Sequence, residues 1–346
     1  MLKIAIDAMG GDNAPEAIVN GVEQARDEMP DVEFQLYGPV DQLKALIKND
    51  QQIKFIEADE VIEMAEEPVK AMRTKKNSSL VMAAEAVKAG DADAFFSAGN
   101  TGAVLATAIF IVGRIKGVDR PALMSVMPAL KGPHPVFVMM DVGANAENKP
   151  AHLYQYGILG SFYASEVLGF ETPRVGLLNN GGEPDKGDPL HKEAHQLLQH
   201  GSDAGNLNFV GNVESRDLLQ GPADVVVSDG FSGNATLKAI EGTAKSVLSV
   251  VKHTIVDGNL QAKLGGLLLK PSLTKAAERL DYSEYGGAVV IGVKAPVVKT
   301  HGSSSAYEVA QTLKQIQKIS DADLTNKVEA YVKTHKDELS SKSEKK

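Results

Sequence analysis

Apolar residues recur along this 346-residue chain in short blocks that end in small polar turns, and most blocks are followed at once by a helical pattern. Leu2 to Ile6 is the first block. It runs into Asp7-Ala8-Met9-Gly10-Gly11-Asp12-Asn13-Ala14-Pro15, and Pro15 suits the opening of a helix reaching about Glu28. Val32 to Tyr37 and Ile53 to Glu57 read as further strands, separated by a helix from Val40 to Ile47. Ala94 to Phe96 meets the turn Ser97-Ala98-Gly99-Asn100-Thr101-Gly102 and a helix from Ala103 to about Val112. Pro135 to Met140 leaves through Asp141-Val142-Gly143-Ala144-Asn145, and Lys149-Pro150 begins a helix carrying Leu153, Tyr156, Leu159 and Tyr163. Arg174 to Leu178 is a strand; Gly286 to Val293 and Val297 to Thr300 are strand-like, and helices follow to about Ile319 and from Asp321 to His335. This alternation predicts an α/β fold around a largely parallel sheet.

The most informative stretch runs from Ala223 to Leu248. Val225-Val226-Val227 ends in Ser228-Asp229-Gly230-Phe231-Ser232-Gly233-Asn234, and Leu237, Ile240, Ala244, Val247, Leu248 and Val251 then fall on one face of a long helix. A glycine turn opening a helix lets a ligand approach the main chain, and the first helical N–H groups favour anions. Asp229, Ser232 and Asn234 can equally do no more than shape and cap the turn. The Gly-Asn arrangement repeats at Gly99-Asn100. In an open α/β sheet the loops at the carboxyl ends of strands share one edge, so the two turns are expected to meet around one ligand.

Composition narrows the chemistry. A formal charge of −9 and 5% aromatics, with no tryptophan, argue against a general nucleic-acid binder. The absence of cysteine excludes a disulfide, a thiolate metal site and an acyl-cysteine intermediate. The amino terminus begins as a strand, unlike a secretory signal, and no run of 18 apolar residues exists to span a bilayer. His191 and His195 have a spacing that can hold zinc, but neither a His-Glu-x-x-His pattern nor a third ligand accompanies them, so no metal is expected. Gly-x-Gly-x-x-Gly, Gly-x-x-x-x-Gly-Lys-Ser/Thr and Gly-x-Ser-x-Gly are also missing, leaving phosphate or a phosphorylated compound as the anion for the turns. Lys186 is the lone cation of the breaker-rich loop Asn179 to Pro189.

Two further segments have alternatives. From Glu60 to Lys76 charge dominates, as a solvated face or a docking patch. Leu260, Leu264, Leu267, Leu268 and Leu269 stand among Lys263, Lys270 and Lys275, as a core or dimer helix or as an edge lying on an anionic membrane. No linker forces a boundary, so residues 1–335 read as one large domain with a protruding helical segment at about 255–282. The charged, serine-rich tail 336–346 is expected to be disordered.

An ordered set of motifs adds to this reading: Ile6-Asp7-Ala8-Met9-Gly10-Gly11-Asp12, Lys75-Lys76-Asn77-Ser78-Ser79, Ser97 to Gly102, Ile111-Val112-Gly113-Arg114-Ile115, Asp141 to Asn145, Asp229-Gly230-Phe231 with Gly233-Asn234, Tyr285-Gly286-Gly287-Ala288 and His301-Gly302-Ser303-Ser304. In that order, from residue 2 to about 315, the chain resembles the PlsX-type phosphate acyltransferases of bacterial phospholipid synthesis. The resemblance implies transfer of a fatty acyl group from acyl carrier protein to inorganic phosphate. The product, acyl phosphate, would serve a membrane glycerol-3-phosphate acyltransferase. It also implies a three-layer α/β/α core like that of isocitrate and isopropylmalate dehydrogenases, a homodimer, no cofactor, and a cytoplasmic protein at the membrane surface.

On that resemblance Lys186 neutralises phosphate or the developing oxyanion, and Asn234 orients phosphate or the thioester carbonyl. Asn100, Thr101, Gly102, Gly230, Ser232, Gly233, His301, Gly302 and Ser303 are the expected substrate-binding positions. Asp7, Asp12, Asp141 and Asp229 are expected to order loops, since bare carboxylates repel phosphate. Leu264, Leu267 and Leu268 are expected to touch the membrane. Arg73, Lys75, Lys76 and Arg114 are candidates for docking the acidic carrier.

Overall fold

The computed structural model describes residues 1–279 and 282–339. Among them eleven strands form one sheet: β1 (Leu2–Asp7), β2 (Val32–Gly38), β3 (Ile53–Glu57), β4 (Ala94–Ser97), β5 (Ala122–Pro128), β6 (Val136–Met140), β7 (Arg174–Asn179), β8 (Asn208–Glu214), β9 (Val225–Val227), β10 (Ala288–Ile291) and β11 (Val297–Lys299). Their spatial order is β3-β2-β1-β4-β11-β10-β5-β6-β9-β7-β8. The helices are α1 (Glu16–Glu28), α2 (Val40–Leu46), α3 (Pro68–Thr74), α4 (Ser79–Ala89), α5 (Thr101–Thr107), α6 (Pro150–Glu166), α7 (Pro189–Asp203), α8 (Gly230–Val256), α9 (Leu260–Glu278), α10 (Ala306–Asp321), α11 (Leu324–Thr334) and α12 (Lys336–Leu339).

Side chains alternate between the two faces of a strand, and the apolar core divides accordingly. Ile4 and Ile6, Phe96, Val225 and Val227 join one buried cluster, where Val19 of α1, Leu153 and Tyr156 of α6 and Leu313 of α10 pack. Ala5, Phe95 and Val226 join the other, with Leu80 and Ala84 of α4 and Val104 of α5. A continuous apolar run such as Val225-Val226-Val227 therefore marks a strand covered on both faces. The layers are helix, sheet, helix.

Two strands escape the sequence patterns. In β5 the apolar run is broken by Ser125, and β8 carries Asn208 and Asn212. The omission of β5 matters because pairing is parallel everywhere except β11–β10, β10–β5 and β5–β6. Three reversals in a row leave the two halves of the sheet running in opposite directions. The turn after β4 and the turn after β9 consequently lie at opposite edges, contrary to the expectation of one shared edge.

The tail does not start where expected. Lys336–Leu339 is a short helix whose Leu339 is buried; residues 340–346 lie outside the described residues. In the segment at 255–282, α8 packs against α9, and Leu260, Leu264, Leu267, Leu268 and Leu269 are all exposed. A core role for these leucines is thereby excluded within this chain.

Candidate active site

A cleft of about 580 Å³ crosses the face of the central strands and links the two edges. Its floor is one cross-strand row, because Lys299 pairs with Ala288 and the β10–β5 register sets Ala288 beside Ser125. All three line the cleft. At one end stand Thr101 and Gly102 of α5 with Thr300, His301 and Ser304; at the other stand Val142, Gly143 and Ala144 after β6 and Asn234 of α8. Both Gly-Asn turns thus contribute to one cleft, reaching it across the sheet and not along an edge.

Buried carboxylates shape these loops. Asp141 is fully buried; its Oδ1 accepts from the N–H groups of Leu123, Gly143 and Ala144 at 3.1, 3.0 and 2.9 Å. Its Oδ2 accepts from the Asn145 backbone and side chain at 2.7 and 2.9 Å. Asp7 accepts from Ser79 and Ser97 at 2.5 and 2.7 Å. Burial raises the pKa of both carboxyls, opposed by the donors aimed at them. Asp229 caps α8 by accepting from the N–H groups of Phe231 and Ser232. Asp12 differs: its backbone N–H donates to the Gly302 carbonyl at 2.7 Å, while its exposed carboxylate has no hydrogen bond among the described residues.

The glycines of the β9 turn serve packing. A Cβ on Gly233 would lie 2.0 Å from the Asp141 carbonyl oxygen, and one on Gly230 would lie 2.5 Å from that of Asn145. Only a residue without a side chain lets the first turn of α8 rest on the 141–145 loop. Ser232 is half-buried, and neither it nor the two glycines line the cleft. Asn234 does, beside Gly143, and among the described residues nothing hydrogen-bonds its side-chain amide.

Asn100 is engaged differently from Asn234. Its Oδ1 accepts from Ala103 N–H at 3.1 Å, capping α5, and its Nδ2 donates to the carbonyls of Met64 and Glu66 at 3.0 and 3.1 Å. Both ends of the amide are committed to structure, leaving Thr101 and Gly102 to line the cleft from this turn. In the His301 loop, Gly302 supports the Gly11–Asp12 turn and Ser303 Oγ pairs with His301 Nδ1 at 2.8 Å, while Ser304 faces the cleft.

Lys186 is exposed and does not line the cleft. Its loop is held against the β9 turn, since His191 pairs with Asp188 at 2.7 Å and approaches Asp229 at 3.7 Å. The other histidine of the pair, His195, bonds Asn212 instead. Among the described residues no group of three or more His, Cys, Asp or Glu is arranged to hold a metal. Of the proposed docking cations, Lys75 is tied to Glu66 at 2.7 Å and Arg114 to the Asp119 carbonyl at 2.6 Å, whereas Arg73 is exposed.

Sequence patterns passed over Lys299. It reads as a polar strand end, yet its side chain is buried at the cleft floor, and burial lowers its pKa to about 8. The signal available was a lysine directly before the Thr300-His301-Gly302-Ser303 turn.

The fold is similar to that of solved phosphotransacylases. A phosphotransacetylase from Streptococcus pyogenes superposes with a TM-score of 0.62 at 16% identity, over 92% of this chain and 94% of that one. A branched-chain phosphotransacylase from Enterococcus faecalis gives 0.59 at 16%, over 92% and 98%. Identities this low speak for the fold alone. Closer relatives are curated phosphate acyltransferases: that of Leuconostoc citreum is 60% identical over 338 residues, covering 98% of this chain and 96% of its own. That of Streptococcus pneumoniae is 56% identical over 324 residues, covering 94% and 97%. A family model described as fatty acid synthesis protein matches residues 2–327. The chain belongs to that family, the family of the phosphate acyltransferases.

Proposed function

We propose that this protein is an acyltransferase that moves a fatty acyl group from acyl carrier protein to inorganic phosphate, forming acyl phosphate for phospholipid synthesis. The supporting observation is identity of 60% to a phosphate acyltransferase across nearly the whole chain, in a protein whose cleft carries an unoccupied amide and a buried lysine but no cysteine.

In this reaction a phosphate oxygen attacks the thioester carbonyl carbon. A C–O bond forms, the carbonyl becomes an oxyanion, and its collapse breaks the C–S bond to release the carrier thiolate, which takes up a proton from solvent. Phosphate is already ionised near neutral pH, and a thiol of pKa about 8.5 leaves readily, so positioning and charge stabilisation supply the catalysis. Asn234 is placed to donate to phosphate or the oxyanion. Lys186 does not line the cleft and would reach phosphate or the oxyanion from the loop held against the β9 turn.

The exposed leucines of α9, with Leu268 81% accessible, support contact with a membrane surface, where acyl phosphate would pass to a membrane glycerol-3-phosphate acyltransferase. Among the described residues no helix is long and apolar enough to cross a membrane. A groove of about 800 Å³ between α8 and α9, lined by Leu248, Val251, Ile255 and Leu267, supports a homodimer.

The test is to incubate the purified protein with acyl carrier protein thioester, with and without phosphate. Phosphate-dependent release of free carrier is the expected result. A protein that binds phosphate yet consumes no thioester would be a binding protein and not this enzyme.

A further inference from the structure

We infer that Lys299 and Thr300, at the end of β11, form the site that receives the inorganic phosphate of the reaction proposed above. Lys299 Nζ donates to the Thr300 carbonyl, and among the described residues it has no carboxylate partner. A lysine ammonium has three donors and is costly to bury without a counter-charge. This one is 8% exposed. Thr300 is 5% exposed, and its Oγ1 is buried without a hydrogen-bond partner among the described residues. Buried hydroxyls are nearly always paired, so an unpaired one at a cleft wall calls for an explanation.

One ligand would answer both. A phosphate held at this end of the cleft supplies negative charge to the ammonium and acceptor oxygens to the hydroxyl. The small residues Ser125 and Ala288, beside Lys299 in the same row of the floor, leave room for it. The remaining titratable groups lining the cleft are Lys238 and Glu241 of α8, His301, and Glu308 of α10, with Asp7 behind Ser97 of β4. Burial lowers the pKa of Lys299 to about 8, so its charge is present below that pH and is lost as pH rises through it. Arginine at the position keeps its charge throughout this range.

The experiment uses the full chain, Lys299→Met, Lys299→Arg and Thr300→Val. With inorganic phosphate as the probe, thermal unfolding reports binding without reference to turnover. Phosphate is expected to raise the melting temperature of the wild type, and Lys299→Met to abolish that rise. Thr300→Val should not lower the melting temperature without phosphate, because it removes an unsatisfied hydroxyl, yet it should weaken the phosphate-induced rise. In the carrier-release assay Lys299→Met should lower kcat/KM for phosphate by about 10-fold or more, with the KM for acyl carrier protein unchanged. The wild-type value should fall above about pH 8, a fall that Lys299→Arg should lack.

No phosphate-induced stabilisation of the wild type, equal stabilisation in Lys299→Met, or a rise confined to the KM of the acyl donor would each overturn the assignment. Phosphate stabilisation that depends on Lys299, in a wild type that releases no carrier, would leave this site standing and refute the proposed reaction instead.

Discussion

Replacing Asp141 by Asn tests whether its carboxylate holds the loop beside Asn234 in place. The substitution keeps size and shape while converting one acceptor oxygen into an NH2 donor. If the amide nitrogen takes the Oδ2 position, the Asn145 backbone N–H at 2.7 Å loses its acceptor, while Asn145 Nδ2 keeps the Pro121 carbonyl and the Tyr156 hydroxyl. In the opposite orientation, Leu123, Gly143 and Ala144 lose theirs. At least one donor is orphaned either way, and at about 1–3 kcal/mol for each such group the variant should lose roughly 1–3 kcal/mol. That is a large share of the stability of a typical domain, about 5–15 kcal/mol.

Urea denaturation followed by far-ultraviolet circular dichroism is a suitable assay, since the chain has no tryptophan. The midpoint should fall with the slope unchanged. Asp12→Asn is the control: its carboxylate is exposed and receives no hydrogen bond among the described residues, so its effect should stay within about 0.5 kcal/mol. A loss below about 1 kcal/mol in Asp141→Asn, or equal losses in the two variants, would refute the reasoning.

The two Gly-Asn turns should respond differently to alanine. Asn234→Ala should lower turnover about 100-fold or more with unfolding unchanged, by analogy with loss of one oxyanion donor, and Lys186→Ala should do the same if its loop reaches substrate; near-normal rates would remove either residue from the mechanism. Asn100→Ala should instead cost about 0.5–2 kcal/mol of stability as a lost helix cap, so an unchanged denaturation midpoint would contradict its bonding. Gly233→Ala should impair folding or turnover, because a Cβ 2.0 Å from the Asp141 carbonyl forces α8 off the loop; wild-type behaviour in both would show that the contact yields. Leu268→Glu should weaken binding to anionic lipid vesicles without lowering the melting temperature, since the side chain is 81% exposed; unchanged vesicle binding would count against membrane contact by α9.

Local chemistry was legible in the sequence. Alternation of strand, glycine turn and helix, the cap at Asp229, and the apolar run Val225-Val226-Val227 follow from backbone geometry and from burial on one face or two. These operate over a few residues, which is the range a sequence pattern records. What tertiary structure decided was direction and occupancy. Strand polarity depends on pairing between distant segments, and the reversal through β10, β5 and β6 put the two Gly-Asn turns at opposite edges of the sheet. The same residue pair, Gly-Asn, then acquired different work: at Asn100 the surrounding carbonyls and the α5 terminus use the whole amide, while at Asn234 nothing among the described residues does. Lys299 looked like any lysine at a strand end. Only the packing of β11 against β10, over a floor of small residues, buries its ammonium at the cleft with no carboxylate partner among the described residues.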